Sequence, residues 1–190
     1  MSRECVVTPT ESDDRRFLVV ASQTHIGNHA VDMHIRTHIK PGDIGYITYL
    51  HGILYAAEYG LDHTFEGYVA EGLGQFAKTY NSANDYFAIA ALDGTIVGAI
   101  AIVGQPDQTA QLRWFLVHPD ARGQGLGKKL LTDAVEFCRQ RKYKSVFLLT
   151  ISELETAAHL YRDAGFQLIE QNTHKIWGAV RTEERYELHL

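Results

Sequence analysis

Met33, Ile35, Thr37 and Ile39 alternate with His34, Arg36 and His38, the two-residue period of a half-buried strand over 33–39. The period then lengthens. Pro41-Gly42-Asp43 opens a run with Ile44, Ile47, Leu50 and Leu54 at helical spacing, which predicts a helix over 43–59, capped by Asp43 and closed by Gly60. A second helix is expected from about residue 64 to 80, with Phe65, Val69, Gly72, Phe76 and Tyr80 on one face. Gly67, not Glu, stands three residues after Thr64, so the full capping box is missing. Two apolar runs, 87–91 and 96–103, flank Asp93-Gly94, the strongest short hairpin signal in the chain.

The run 111–117 contains Trp114, Phe115, Leu116 and Val117 and suits a buried strand that Pro119 stops near His118. An amphipathic helix follows on Leu126, Leu130, Leu131, Ala134, Phe137 and Cys138. Beyond it lie a buried strand at 145–150, a helix at 153–164 closed by Gly165, and strands opening at 166–170 and filling 185–190. Strand, two helices, three strands, helix, strand, helix and two strands make a single α/β (α+β) domain with a mixed sheet. Residues 1–32 read as an N-terminal arm or accessory segment, and 33–190 as the folded domain.

Between the central strand and its helix stands Arg122-Gly123-Gln124-Gly125-Leu126-Gly127-Lys128. Glycines let the backbone turn sharply, and exposed amides at a helix N-terminus make an anion site, normally for phosphate. A Walker loop would need glycine at Arg122 and Ser or Thr at Lys129. A dinucleotide fingerprint would need glycine at Lys128 and an acid roughly 20 residues on, where 141–152 has none. Both fail on spacing.

What remains, Arg-x-x-Gly-x-Gly after Leu-Val-His-Pro, resembles the pyrophosphate loop of the GNAT superfamily of acyl-CoA-dependent N-acyltransferases. Leu160-Tyr161-Arg162-Asp163-Ala164-Gly165-Phe166 resembles the same family's Leu-Tyr-x-x-x-Gly-Phe, and the element order is also the family's. Gly42-Asp43-Ile44-Gly45-Tyr46, His51-Gly52, Leu54-Tyr55, Glu58-Tyr59-Gly60, His174-x-x-Trp177-Gly178 and Glu184-Arg185-Tyr186 look like a bacterial branch often fused behind a MarR-type regulator. Here no regulator is expected, because the residues before the first strand are too few to hold one.

The resemblance implies a mostly antiparallel sheet of about seven strands with about four helices, and acetyl-CoA as cosubstrate. It implies transfer of the acetyl group to the primary amine of a small-molecule or amino-acid-like acceptor by direct attack on the thioester. Amides of Gly123, Gln124, Gly125, Leu126, Gly127 and Lys128 would cradle pyrophosphate, with Arg122 adding charge. Backbone groups of Phe115, Leu116 and Val117 would pair with pantetheine like an added strand. Leu154 stands where many relatives carry an asparagine that touches pantetheine. Tyr161 is the candidate acid: its reference pKa of about 10 lies above a thiol's, about 8.5, so it stays protonated yet can donate to a thiolate. The base falls to Glu58, His118 or a water chain. Arg113, two residues from Phe115 on a strand and so expected on the same face, is open to an acceptor carboxylate or to an internal ion pair. His51, Tyr55, His174 and Trp177 are open to the acceptor pocket or to core packing. A catalytically idle module that binds CoA as a sensor is the alternative function, and a homodimer is left open.

The net charge of −5 argues against a nucleic-acid partner. Cys5 and Cys138 lie far apart, which fits a reduced, cytoplasmic protein, and the apolar run 17–21 is too short for a membrane span. Ten histidines invite a metal, but His34 and His38 on a strand would sit about 13 Å apart, while zinc–nitrogen bonds are about 2 Å. No metal is expected.

Overall fold

The chain's periods resolve into seven strands and four helices in a computed structural model that describes residues 32–190. They are β1 (Met33–Arg36), α1 (Asp43–Tyr59), α2 (His63–Thr79), β2 (Tyr86–Leu92), β3 (Thr95–Gln105), β4 (Thr109–Val117), α3 (Leu126–Gln140), β5 (Ser145–Ile151), α4 (Glu155–Asp163), β6 (Gln167–Ile176) and β7 (Ala179–His189). One sheet takes the order β1-β2-β3-β4-β5-β7-β6, antiparallel except where β4 meets β5. The mixed sheet and its seven strands match the expectation. The expected arm lies outside the described residues, apart from Asp32.

Helices cover both faces. The apolar stripe of α3 (Leu126, Leu130, Leu131, Ala134, Cys138) and Ala158 and Tyr161 of α4 pack on Ala88, Ile100, Leu112 and Leu148. On the other face Ile47 of α1 and Phe65, Val69, Leu73 and Phe76 of α2 pack on Phe87, Ile89, Ala99 and Trp114. Each wholly buried Leu or Ile contributes about 1.5–3 kcal/mol relative to exposure, so these stripes fix the helix positions.

Two irregularities in β4 shape everything that follows. First, β4 and β5 pair over only three residue pairs, Thr109–Ser145, Ala110–Val146 and Gln111–Phe147. Past Gln111 the edge of β4 facing β5 carries no ladder. Second, Ala101 pairs with Arg113 and Ala99 with Leu116, so two residues of β4 oppose one of β3. This is a β-bulge, and Trp114 sits in it with φ +49°. The bulge corrects the expectation that Arg113 and Phe115 share a face. Arg113 stacks over Trp114 and reaches Tyr68 on the α2 side, whereas Phe115 and Val117 pack toward α3 and α4.

Several boundaries also differ. Asp43 does not cap α1; its carboxylate takes both Nη groups of Arg36 and the Lys40 amide, tying β1 to the helix start. Helix α2 begins one residue before Thr64, capped by Asp62, whose Oδ1 accepts from the Thr64 amide at 3.0 Å. Strand β1 stops at Arg36, and β6 and β7 run longer than expected, up to a turn at Trp177 (φ +49°) and Gly178 (φ +91°). A Cβ on Gly178 would lie 3.0 Å from the Asp62 carboxylate, so only glycine fits this turn against the α2 cap.

Candidate active site

The splay of β4 from β5 opens two adjoining cavities that share Tyr55, Phe115 and Leu154. The larger, about 380 Å³, lies between the N-terminus of α3, α4 and the C-terminal part of α1. It is lined by Phe115, Leu116, Val117, Arg122, Gly123, Gly125, Leu126, Gly127 and Lys128, all of them residues expected to hold the cofactor. Gly125 caps α3 at φ +80° and Gly123 turns at φ +74°. The first intrahelical bond of α3 runs from Lys129 N–H to the Gly125 carbonyl, and the amides of residues 123–128 donate to no described group. A row of unspent N–H groups at a helix start, beside the positive end of its dipole, fits a diphosphate. Gln124 does not line this cavity, and its side chain donates to the Asp120 carbonyl at 3.3 Å.

Two carbonyls on the bare edge of β4 meet side chains. Phe115 O accepts from the Tyr55 hydroxyl at 3.3 Å, and Val117 O from Arg122 Nε at 3.0 Å. The other two nitrogens of Arg122 grip Glu58 at 2.8 and 2.9 Å. Glu58 therefore lines the cofactor cavity as the partner of Arg122 and does not line the second cavity.

The second cavity, about 100 Å³, lies on the α1–α2 side. His51, Tyr55, Phe65, Tyr68 and Trp177 wall it with aromatic rings, and Arg113, Thr150, Tyr161 and Glu183 are among its other lining residues. Phe65 stacks on Tyr55 at 4.9 Å and meets Trp177 edge-on at 4.8 Å, while Trp177 lies 5.6 Å from Tyr68. The Trp177-Gly178 turn swings β6–β7 over α2, and the bond from Asp62 N–H to the Trp177 carbonyl fixes it there at 3.3 Å.

Of the residues expected at the acceptor, His51, Tyr55, Arg113 and Trp177 meet here. His174 does not: it sits on β6 opposite Arg181, and its buried Nδ1 has no partner. His118 lines neither cavity; its Nδ1 accepts the Asp120 amide at 3.3 Å and caps a short 3₁₀ turn. Glu183 was not foreseen, because the strand that carries it shows no clear alternation before residue 185.

Tyr161 lines the second cavity, beside Phe115, which both cavities share. Its ring packs on Phe115 at 6.1 Å and Tyr186 at 5.9 Å, and its hydroxyl bonds to no other described residue. Burial, with lesser contributions from Tyr55 and Tyr186, pushes its pKa well above the usual tyrosine value, so the hydroxyl keeps its proton at every physiological pH. Tyr55 is shifted in the same direction, again mainly by burial.

His51 is 3% exposed and its Nδ1 lies 2.8 Å from the Ile47 carbonyl. A carbonyl only accepts, so Nδ1 carries the proton and donates, leaving Nε2 as the lone-pair nitrogen. Burial lowers the His51 pKa to about 4, against the opposing Ile47 bond. Between its unfolded value of about 6.5 and about 4, the unfolded chain binds the extra proton. Stability is thus complete above pH 6.5 and falls as pH drops through that window. His51→Gln is expected to flatten this dependence, as read from melting temperatures across the window; an equally steep slope would assign it to other groups.

Among the described residues no helix is long and apolar enough to cross a membrane, and no group of three or more His, Cys, Asp or Glu could hold a metal ion.

The sequence profile of the Acetyltransferase (GNAT) family matches residues 53–166, and the chain belongs to this family. It is 32% identical over 130 residues to the "Probable N-acetyltransferase camello" of Xenopus laevis, a match spanning 64% of this chain and 58% of the frog protein. It is also 32% identical over 120 residues to "Uncharacterized N-acetyltransferase YjgM" of Escherichia coli, spanning 60% of this chain and 71% of that one. An acetyltransferase of Streptococcus agalactiae has the same fold at a TM-score of 0.69 and 26% identity, covering 83% of this chain and 98% of that one. The Salmonella typhimurium acetyltransferase yncA, solved with its cofactor acetyl-CoA, superposes at 0.63 with 19% identity, covering 83% and 93%.

Proposed function

We propose that the protein is an acetyl-CoA-dependent N-acetyltransferase acting on the primary amine of a small-molecule or amino-acid-like acceptor. One observation carries this reading: Tyr161, protonated and free to donate, lines a cavity that can admit an amine and packs on Phe115, a residue this cavity shares with the one lined by unspent amides. Acetyl-CoA would supply the activated acyl group. The amides of residues 123–128 would bind its diphosphate, and the bare edge of β4 at Phe115 and Val117 its pantetheine arm. Apolar Leu154, on the wall of both cavities, supports contact without a side-chain hydrogen bond.

The transfer forms a nitrogen–carbon bond and breaks a carbon–sulfur bond. Two protons leave the ammonium; the sulfur takes one, and solvent receives the other. Tyr161 holds the proton for the sulfur. Burial makes it a weak acid, so it acts chiefly by hydrogen-bond donation as negative charge grows there.

Glu58 serves to hold Arg122, and solvent water takes up the amine's proton. Glu58→Gln is expected to change the KM for acetyl-CoA while kcat stays within a few-fold. A fall in kcat on the order of 100-fold would restore Glu58 as base. The particular likeness to the branch fused to MarR-type regulators rests on the sequence motifs alone, and a cytoplasmic protein whose catalytic domain is 33–190 accords with it. The idle CoA sensor is the weaker reading, because it leaves the free Tyr161 hydroxyl and the second cavity without use.

An acceptor screen tests the proposal: amino acids, polyamines, aminoglycosides and peptide N-termini, each offered with acetyl-CoA and followed by mass spectrometry. An acetylated amine in one class is the expected result. Tight acetyl-CoA binding with no acetylated acceptor would favour the sensor.

A further inference from the structure

The second cavity carries two formal charges, one of each sign. Arg113 makes no salt bridge among the described residues: its Nη2 meets the Tyr68 hydroxyl at 3.2 Å, and its guanidinium lies 4.5 Å over the Trp114 ring. Neutral partners orient it without cancelling its charge. Glu183 is half-buried and has no hydrogen-bond or ion-pair partner among the described residues. Its neighbours on β7 do: Glu184 takes Tyr186 and Gln171, and Arg185 takes Glu187.

The fold puts these two charges across a gap. Arg113 is on β4 and Glu183 on β7, with β5 between them. Glu183 pairs with Ile151, whose side chain belongs to the same core face as Trp114, so both charges face the α1–α2 side. Both line the same cavity, and past Gln111 the edge of β4 that faces β5 carries no ladder. An α-amino acid head group carries one charge of each sign, the complement of the two charges on this cavity's wall. The wall beside it is aromatic: Phe65, Tyr68 and Trp177 touch one another in edge and tilted contacts that leave ring surface to the cavity.

We propose that the acceptor is the free α-amino acid form of an aromatic or similarly flat apolar molecule. Arg113 takes its carboxylate as a fork, Glu183 its ammonium, and the Phe65–Tyr68–Trp177 wall its side chain. A carboxylate restores to Arg113 the anionic partner the fold withholds, and an ammonium does the same for Glu183. Polyamines would leave Arg113 facing a second cation, and sugars would forfeit the apolar wall. The inference rests on the acetyltransferase reading for its use, but the binding stands apart from it.

The test therefore has two arms. Calorimetry measures binding to the CoA-loaded protein of L-phenylalanine, phenylethylamine (no carboxylate), 3-phenylpropionate (no amine) and L-alanine (no ring). Phenylalanine is expected to bind at least about tenfold more tightly than the other three, each of which loses one of the contacts. Arg113→Lys should abolish the preference over phenylethylamine, and Glu183→Gln the preference over phenylpropionate, in variants whose melting temperatures stay near wild type. Equal binding of phenylalanine and phenylethylamine would overturn the proposal, as would a normal phenylalanine affinity in both variants. Steady-state kinetics forms the second arm. Arg113→Lys should raise KM for phenylalanine far more than for acetyl-CoA, because the forked geometry is lost while charge remains. Phenylalanine binding without acetylation would preserve the site and refute the enzyme reading instead.

Discussion

Gly125→Asp is expected to fold and to lose acetyl-CoA. Gly125 is the N-cap of α3 at φ +80°, a region where Asp is among the few side chains tolerated. A Cβ there meets nothing within 4 Å, so no packing is disturbed. The carboxylate would sit at the positive end of the helix dipole, which favours it and further protects the fold. That is the seat proposed for the diphosphate. Like charge in the cradle should weaken binding on the order of 100-fold or more. Calorimetry on the folded variant checks this, and an unchanged affinity would remove the loop from the cofactor site.

Tyr161→Phe has the second large effect. The ring contacts with Phe115, Phe166 and Tyr186 survive, because the hydroxyl bonds to no described residue. Melting temperature should therefore hardly move. What goes is the proton beside the departing sulfur, at a cost on the order of 100-fold in kcat with little change in either KM. Wild-type turnover would mean that the thiolate leaves unaided or is protonated by water.

The parts legible in the sequence were those with a period or a constrained turn. Alternation at 33–36, the stripe of α3 and Asp93-Gly94 each mark an element through burial or backbone geometry that single residues reveal. The cradle was equally plain, since glycine spacing before an amphipathic helix has few other uses. The bulge at Trp114 was not: it depends on β3 offering one residue against two, which no local pattern in β4 announces. From it follows the turn of Phe115 to the face opposite Arg113. Strand β6 is exposed along most of its length, so it lacks the one-sided apolar pattern that would have set its end. Its turn at Trp177-Gly178, fixed by Asp62 at a distance in sequence, decides which aromatics wall the second cavity. Glu58 and His118 are candidate bases by residue type and by their places on the first helix and just past the central strand. Their partners, Arg122 and the Asp120 amide, are tertiary or turn contacts that composition does not show.

The most direct measurement counts products. The purified protein is mixed with acetyl-CoA and an amino-acid acceptor, free thiol is titrated, and the acetylated amine is quantified in the same sample. The expected result is one thiol released per amide formed, with neither appearing at comparable rate in Tyr161→Phe. Acetyl-CoA bound in the cleft with no thiol released, whatever amine is offered, would contradict it.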